Sequence, residues 1–137
     1  FLIEQLPQDK ITYVVKSRPI INDSTMDDAR AAGITDLVEV ITNGSDSPGT
    51  ILGLCSDEFR QRFEQADLII AKGQANYESL SSTPRAGSGP RVETGTSKPT
   101  LFLLVVKCPV VSDRIGCEIG TLVLLAENME NMKKGES

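Results

Sequence analysis

The sequence has no histidine, no tryptophan and only three cysteines among its 137 residues. The missing imidazole excludes a Ser-His-Asp triad, Cys-His catalysis and every histidine-ligated metal centre. Any metal would need oxygen ligands, which select hard cations such as magnesium or manganese. Cys55, Cys108 and Cys117 form no Cys-x-x-Cys pair, which indicates reduced thiols of a cytoplasmic protein and no disulfide frame or zinc site.

Basic clusters and long apolar runs are also scarce. The net charge is −5 and adjacent lysines occur only at 133–134, so we expect no nucleic-acid partner. The longest apolar run, 101–106, is far shorter than the ~20 residues of a membrane helix, and no signal peptide is visible, so we expect no membrane partner. The length predicts a single domain over 1–137 and leaves the oligomeric state open.

Short apolar segments alternate with amphipathic segments along the chain. Strands are predicted at 11–15, 36–41, 67–72, 101–106 and 121–126, and helices at 24–33, 56–66, 75–80 and 109–115. This alternation implies βαβ units and an α/β, Rossmann-like fold, with a mainly parallel sheet flanked by helices in three layers. The run 101–106 is apolar at every position, which suits a parallel strand buried on both faces.

Capping residues mark the ends of the first and last helices. Ser24 or Thr25 can cap the helix at 24–33, and Gly33 can end it. Pro109 suits the first turn of the helix at 109–115, which Gly116 can close.

Two segments are predicted to lie outside regular structure, and the first residues resemble the end of a helix. Residues 81–100 are rich in Gly, Pro, Ser and Thr and predict a flexible loop, and the polar residues 127–137 predict a frayed tail. Residues 1–6 resemble the end of an amphipathic helix and start with phenylalanine. We therefore expect a fragment or a processed piece that lacks the N-terminal part of its fold.

Polar residues follow the predicted strands, where ligands bind in α/β sheets. They are Asn22, Asp23, Asn43, Lys72, Gln74, Asn76 and Lys107. Lys72 offers a point charge, and the helix start after Gly73 offers free N–H groups and the positive end of a dipole. Asp23 could hold a divalent cation that bridges to phosphate oxygens. This composition predicts a phosphate site.

Each of these residues also has a plain structural interpretation. Asp23 can be a helix cap or an Asx-turn, and Lys72 with Gly73 can be a solvated strand end before a tight turn. Gln74, Asn76 and Lys107 can be ordinary solvated residues. Neither Gly-x-x-x-x-Gly-Lys-[Ser/Thr] nor Gly-x-Gly-x-x-Gly occurs, so a P-loop is excluded and a dinucleotide site is disfavoured.

Three stretches together resemble the metal-dependent damage-control phosphatase family, in its stand-alone archaeal and bacterial branch. They are ITYVVKSRPIINDSTMDDARAAG (11–33), DLIIAKGQANYESL (67–80) and KCPVVSDRIG (107–116). The resemblance covers nearly all of 1–126, apart from a long 81–100 loop. It implies hydrolysis of phosphate monoesters of small metabolites, such as sugar phosphates or damaged phosphometabolites, with manganese, magnesium, cobalt or nickel.

The resemblance also assigns roles to residues. The family's Asn-Asp-x-Thr element matches 22–25, which makes Asp23 a catalytic metal ligand. Its Lys-Gly-x-x-Asn element matches 72–76, which makes Lys72 the catalytic contact to phosphate and adds Gly73, Gln74 and Asn76 as substrate-binding residues. Its Lys-Cys-Pro stretch matches 107–109. The family's leading Asp-Asn-x-Gly-Glu motif, which supplies two further metal ligands, has no match. We therefore expect half a metal site and little activity from this chain alone.

Two other classes of function remain open. The first is a non-catalytic Rossmann-like binding module or truncated remnant, which would bind phosphate without hydrolysing it. The second is a structural interaction protein, which would bind neither phosphate nor metal. The expected partner of a phosphatase is a small phosphorylated metabolite, whose identity the residues do not specify.

Overall fold

The computed structural model describes residues 2–83 and 95–132. Its strands are β1 (Thr12–Val15), β2 (Glu39–Thr42), β3 (Ile69–Lys72), β4 (Thr100–Val105) and β5 (Leu122–Glu127). Its α-helices are α1 (Met26–Ala31), α2 (Asp57–Gln65), α3 (Gln74–Leu80) and α4 (Pro109–Ile115). The predicted α/β class is confirmed, since the strands of one parallel and one mixed sheet alternate along the chain with helices.

The chain divides into two compact units, Phe1–Pro48 with Leu52–Gln61 and Gly49–Ile51 with Arg62–Ser137. The first unit holds the β1-β2 sheet, and the second holds the sheet of order β3-β4-β5. The single domain over 1–137 and its three layers stay predictions. Within the described ranges, no helix has the length and apolarity needed to cross a membrane.

In the first unit, β1 and β2 pair in parallel from Thr12↔Glu39 to Val15↔Thr42. Thr25 caps α1 and Gly33 follows its end with a left-handed φ of 74°, so both predicted end signals are confirmed. The strand predicted to start at residue 36 starts at Glu39, because Ile34–Asp36 forms a 3-10 helix directly after Gly33.

In the second unit, β3 and β4 are parallel, whereas β4 and β5 are antiparallel. The antiparallel pairing arises because the chain leaves β4 and returns to β5 at the same end, where Val105 lies opposite Leu122. The core packs against one face of this sheet. There the Tyr77 ring of α3 meets the Phe102 ring of β4 edge-on at 5.3 Å, and both side chains are fully buried.

Strand β4 is buried on one face only, which corrects the expectation of burial on both. Phe102 and Leu104 are 0% and 2% exposed, whereas Val105 is 41% exposed. Leu122 and Leu124 of β5 share the face of Val105 in the strand register and are 79% and 67% exposed. An apolar run fits a strand buried on both faces, but it carries no information about which face is covered.

The predicted loop 81–100 and tail 127–137 differ from the structure where the structure describes them. Ser81, Thr96 and Thr100 are buried. The amide nitrogen of the Asn128 side chain donates to the Thr96 carbonyl oxygen at 2.8 Å, and Met129–Asn131 forms a 3-10 helix. Polar side chains that bind backbone carbonyls hold these segments without apolar burial. Residues 84–94 and 133–137 lie outside the described residues.

Candidate functional site

Asp23 closes a tight turn in the first unit. Its backbone N–H donates to the Ile20 carbonyl oxygen at 2.8 Å. Ile21, inside the turn, has a φ of 44°, a left-handed conformation that β-branched residues rarely adopt. Ile21 is 89% exposed and Asp23 is exposed as well, so the turn lies on the surface.

Helix α1 is capped by Thr25, which removes the cap role considered for Asp23. The Thr25 hydroxyl accepts the Asp28 amide at 3.5 Å, and the Asp28 carboxylate accepts the Thr25 amide at 2.8 Å. The Thr25 amide and the Thr25 hydroxyl, which donates to the same carboxylate at 2.8 Å, hold the pKa of Asp28 below its usual range. The Asp23 carboxylate makes no hydrogen bond or salt bridge to any residue in the described part of the chain.

Lys16 is a buried cation at the carboxyl end of β1. It is 8% exposed, and its Nζ donates to the Ser47 carbonyl oxygen at 2.7 Å. Burial lowers the pKa of Lys16, while the nearby Asp23 carboxylate and Cys55 oppose that shift. Lys16 was not among the predicted site residues, although a lysine directly after a strand is the same signal that singles out Lys72.

Asn43 has a structural role at the end of β2. It is 2% exposed, its Oδ1 accepts the Ser45 amide at 3.0 Å, and its carbonyl oxygen accepts the Ser56 amide at 3.0 Å. This Asx-turn shapes the loop whose Ser47 carbonyl binds Lys16. The role of Asn43 is therefore to hold the backbone of this loop in place.

Lys72 ends β3 in the second unit and is exposed. The next residue, Gly73, caps α3 with a φ of 97° and a ψ of 152°, a combination that is essentially restricted to glycine. The Gly73 amide donates to the Leu103 carbonyl oxygen at 2.8 Å, which fastens the turn to β4. The chain thus passes from strand to helix within one residue and leaves the lysine at the strand end.

The side chains of Gln74 and Asn76 are used to hold this turn. Gln74 Oε1 accepts the Lys107 amide at 2.7 Å, and its Nε2 donates to Glu78 Oε1 at 3.0 Å. Asn76 Nδ2 donates to the Lys72 carbonyl oxygen at 2.7 Å, and its Oδ1 accepts the Thr50 hydroxyl at 2.8 Å. Their role in substrate binding stays a prediction, and the structure places both amides as braces around Lys72.

Lys107 and Cys108 lie beside this turn, after the end of β4. Lys107 is exposed, and its amide is bound by Gln74. The Cys108 sulfur accepts a hydrogen bond from Gln74 Nε2 at 3.4 Å. Gln74 therefore brings the predicted residues Lys72, Gly73 and Lys107 to the same carboxyl edge of the β3-β4 pair.

The Asp23 carboxylate is the kind of oxygen ligand that suits a hard divalent cation. Its carboxylate is exposed and unoccupied by protein donors within the described residues, and carboxylate oxygens are the ligands that magnesium and manganese prefer. No group of three or more His, Cys, Asp or Glu residues that could hold a metal ion occurs in the ranges 2–83 and 95–132. Within the described residues, Asp23 therefore offers a single exposed carboxylate.

A cavity of about 420 Å³ lies elsewhere in the second unit. Its lining residues are Glu64, Ala66, Asp67, Ser97, Lys98, Pro99 and Asn131. These residues precede β3 and β4 or follow β5, so the cavity lies at the amino end of the parallel pair. Ligands of α/β sheets bind at the carboxyl end, where Lys72 lies, and the cavity is therefore not the predicted site.

The chain is similar to known proteins over most of its length. Residues 1–123 match the family model of the damage-control phosphatase ARMT1-like domain. The chain is 46% identical over 126 residues to an uncharacterized protein of Methanocaldococcus jannaschii, covering 90% of the chain and 38% of that protein. It is 43% identical over 116 residues to a damage-control phosphatase of Archaeoglobus fulgidus, covering 84% of the chain and 36% of the relative.

A relative from Pyrococcus horikoshii matches in both sequence and structure. The chain is 37% identical over 123 residues to a damage-control phosphatase of that organism, covering 90% of the chain and 39% of the relative. It also matches the crystal structure of a DUF89 family protein from Pyrococcus horikoshii, with a TM-score of 0.73 at 37% identity, covering 90% of the chain and 39% of the other. The chain thus spans 36–39% of the length of the curated relatives it matches.

Proposed function

The chain belongs to the damage-control phosphatase ARMT1-like domain family, and from this membership we propose that it serves the metal-dependent hydrolysis of phosphate monoesters of small metabolites. Sugar phosphates and damaged phosphometabolites are the proposed substrate class. Two relatives bear the name damage-control phosphatase, which supports the phosphatase role. The observation that carries the proposal is the exposed Asp23 carboxylate, which forms no hydrogen bond or salt bridge with any described residue.

Asp23 is the proposed protein ligand of the metal, which is manganese, magnesium, cobalt or nickel. A divalent cation bound there would polarise the phosphoryl group and offset its charge. The capping box of Thr25 and Asp28 fixes the backbone two residues after Asp23, so the carboxylate is carried on a rigid segment. Rigid support of this kind keeps a metal ligand in place without using the ligand itself.

Lys72 is the proposed contact to the substrate phosphate. Its ammonium is exposed at the end of β3, and its backbone is braced by Asn76 Nδ2 at 2.7 Å. A charge-assisted hydrogen bond to a phosphate oxygen contributes about 1.5–3 kcal/mol. Lys72 would therefore both orient the substrate and stabilise charge that develops in the transition state.

A chimaera provides the test of this function. The chain would replace the stretch that it matches in the Pyrococcus horikoshii damage-control phosphatase, and hydrolysis of para-nitrophenyl phosphate would be measured with manganese. We expect Asp23→Asn to abolish activity and Lys72→Met to lower kcat/KM roughly ten- to a hundred-fold. Asp27→Asn and Lys10→Met change exposed residues of the same charge, and as controls they should keep the activity of the parent chimaera.

The alternative function is a non-catalytic module that binds phosphorylated metabolites. It is favoured by the hydrogen bonds that engage the side chains of Gln74 and Asn76, because they leave Lys72 with few side chains to assist chemistry. A chimaera that binds inorganic phosphate through Lys72 but hydrolyses no phosphomonoester, with or without manganese, would support this alternative and contradict the phosphatase proposal.

The proposed location is the cytoplasm. None of the three cysteines, which all lie within the described residues, forms a disulfide, and Cys55 is buried, which suits a reducing compartment. Burial raises the pKa of the Cys55 thiol, so it stays protonated and unreactive at neutral pH. Labelling of the folded protein with a thiol reagent, before and after reduction, would test whether its cysteines are reduced. Equal labelling supports reduced thiols, and an increase after reduction contradicts them.

A further inference from the structure

Lys16 is an unusual residue because lysine side chains are rarely buried in proteins. Its exposed fraction is 8%, and its ammonium is held by the Ser47 carbonyl oxygen at 2.7 Å. Ser47 belongs to the loop that Asn43 shapes after β2, through the bonds Ser45 N–H to Asn43 Oδ1 and Ser47 N–H to Ser45 Oγ. The cation is therefore fixed by the fold of the first unit.

The backbone of Lys16 lies directly beside the segment that carries Asp23. Its N–H donates to the Ser24 carbonyl oxygen at 2.9 Å, and Lys16 forms a parallel bridge with Thr25. The Asp23 carboxylate is near enough to oppose the effect of burial on the pKa of Lys16. Asp23 makes no salt bridge to any described residue, so the lysine lies near the carboxylate without occupying its oxygens.

The charges of this pair favour a particular kind of ligand. The carboxylate and the ammonium cancel each other, so a divalent cation bound at Asp23 leaves the first unit with a local charge of about +2 to interact with an anion. A phosphate monoester dianion would neutralise that charge. Without the lysine, the carboxylate would attract the cation more strongly and leave less positive charge for the phosphate.

We propose that Lys16 is a positioning residue of the Asp23 site, whose fixed charge makes the site bind metal and phosphate together in preference to metal alone. This inference rests on the proposed function. It adds a residue that lies outside the metal ligand and the phosphate contact already described. It also predicts the direction of two effects. Removing the lysine should strengthen binding of the metal by itself, and it should weaken the effect of phosphate on the affinity for the metal.

The test is a titration of the 137-residue chain with manganese, followed by the electron paramagnetic resonance signal of the free ion. Wild type, Lys16→Met, Lys16→Arg and Asp23→Asn are each titrated with and without saturating inorganic phosphate. We expect Lys16→Met to bind manganese several-fold more tightly without phosphate, because a like charge is removed. Added phosphate should tighten manganese binding in wild type and Lys16→Arg, and have little effect in Lys16→Met.

Lys98→Met is the matched control. Lys98 is half-buried, and its Nζ also donates to backbone carbonyl oxygens, those of Glu64 and Ala66. This variant loses the same kind of lysine–carbonyl bond but removes no charge beside Asp23. Its affinity for manganese and the effect of phosphate should equal those of wild type.

Several results would overturn the inference. Unchanged or weaker manganese binding in a folded Lys16→Met variant, as judged by circular dichroism, would give Lys16 a purely structural role. If Lys16→Met does not fold, Lys16→Arg decides: affinity within about twofold of wild type supports the charge-based role, and a tenfold change overturns it. Manganese binding that is equal in wild type and Asp23→Asn would instead overturn the proposed function on which the inference rests.

Discussion

The left-handed backbone of Ile21 concentrates strain in the turn that carries Asp23. An L residue loses about 1–2 kcal/mol in this conformation, and a β-branched side chain makes it less favourable still. The Ile21 side chain recovers little through burial, since it is 89% exposed. Strain that the surrounding structure maintains without a packing benefit is typical of functional sites.

Ile21→Gly should therefore stabilise the protein. Glycine adopts a positive φ without steric cost, and this gain exceeds the extra conformational entropy of the unfolded chain. We expect the free energy of unfolding in urea to rise by about 0.5–1 kcal/mol, and by a similar or smaller amount in Ile21→Asn. Ile119→Gly, at an exposed residue with an ordinary φ, should lower stability. Destabilisation in both Ile21 variants would show that the turn is not strained.

Single residues of the candidate site were predictable to different degrees. Asp23 and Lys72 could be chosen as candidates because Lys72 ends a strand and Asp23 lies in the segment after one, and ligands of α/β sheets bind at the carboxyl ends of strands. The bonds of Gln74 to Lys107, 33 residues away, and of Asn76 to Thr50, 26 residues away, depend on tertiary contacts that no local pattern contains. The burial of Lys16 was not predictable for the same reason, because it follows from the loop after β2.

Among the elements, β5 fastens the segment that follows α3. Glu127 accepts hydrogen bonds from the Ser81 hydroxyl at 2.6 Å, from the Ser82 amide at 2.9 Å and hydroxyl at 3.0 Å, and from the Thr83 hydroxyl at 3.1 Å. Arg114 of α4 donates to the same Ser81 hydroxyl at 3.1 Å. Burial alone would raise the pKa of Glu127, but these hydrogen bonds outweigh it and hold the pKa below its usual range.

Glu127→Gln should destabilise the protein in a pH-dependent way. The amide replaces one acceptor oxygen with a donor that faces other donors, and we expect a loss of about 1–3 kcal/mol in the free energy of unfolding at pH 7. Because the folded pKa is lowered, the carboxylate contributes stability above its unfolded pKa of about 4.3 and loses it as the pH falls through the folded value. The difference in the free energy of unfolding between variant and wild type should therefore shrink toward pH 3.

Glu130→Gln is the control for this experiment. Glu130 is exposed in the 3-10 helix that follows β5, and its substitution should change stability by less than about 0.5 kcal/mol at either pH. A Glu127→Gln variant that is as stable as wild type at pH 7 would show that the bonds to residues 81–83 do not hold this segment.

Element positions were predictable because local signals agree with one another. Thr25 caps α1, Pro109 opens α4, and Gly116 closes α4 in a left-handed conformation, as their types predict. Strand direction and strand burial were harder to predict. The antiparallel course of β5 and the exposed face of β4 depend on which end the chain returns to and on what packs against each face. Neither property is encoded in the period of apolar residues.

The two faces of the second sheet should differ sharply in their sensitivity to mutation. Leu104 is 2% exposed and Leu124 is 67% exposed. We expect Leu104→Ala to lower the free energy of unfolding by about 2–5 kcal/mol, because it leaves a cavity, whereas Leu124→Ala should cost less than about 1 kcal/mol. Urea unfolding of the chain measures both. Similar losses in the two variants would mean that the outer face is packed in solution.

At the scale of the whole molecule, composition and alternation were enough to predict the α/β class, and a resemblance was enough to predict the family. The side-chain contacts around each candidate residue were not predictable, because they depend on residues distant in sequence. Asp23 lies in one compact unit and Lys72 in the other, and the chain spans 36–39% of the length of the relatives it matches. The number of metal ligands that this chain contributes is therefore a quantity to measure.

Counting ligands gives an expected affinity for the isolated chain. Asp23 offers one carboxylate, and no cluster of three metal-ligating side chains occurs within the described residues. Magnesium and manganese keep their waters unless carboxylates or phosphates replace them. We therefore expect the 137-residue chain to bind manganese with a Kd of about 10⁻³ M, and to hydrolyse phosphate monoesters little or not at all.

The same chain placed in the Pyrococcus horikoshii chimaera should bind manganese at least about a hundred-fold more tightly, because several oxygen ligands then act on one cation. Asp23→Asn should remove most of that gain, while Asp27→Asn, an exposed aspartate paired with Arg30 at 3.0 Å, should leave it intact. Calorimetric titration of each protein with manganese makes the comparison. A micromolar Kd for the isolated chain, lost in Asp23→Asn, would show that this chain supplies more of the metal site than one carboxylate.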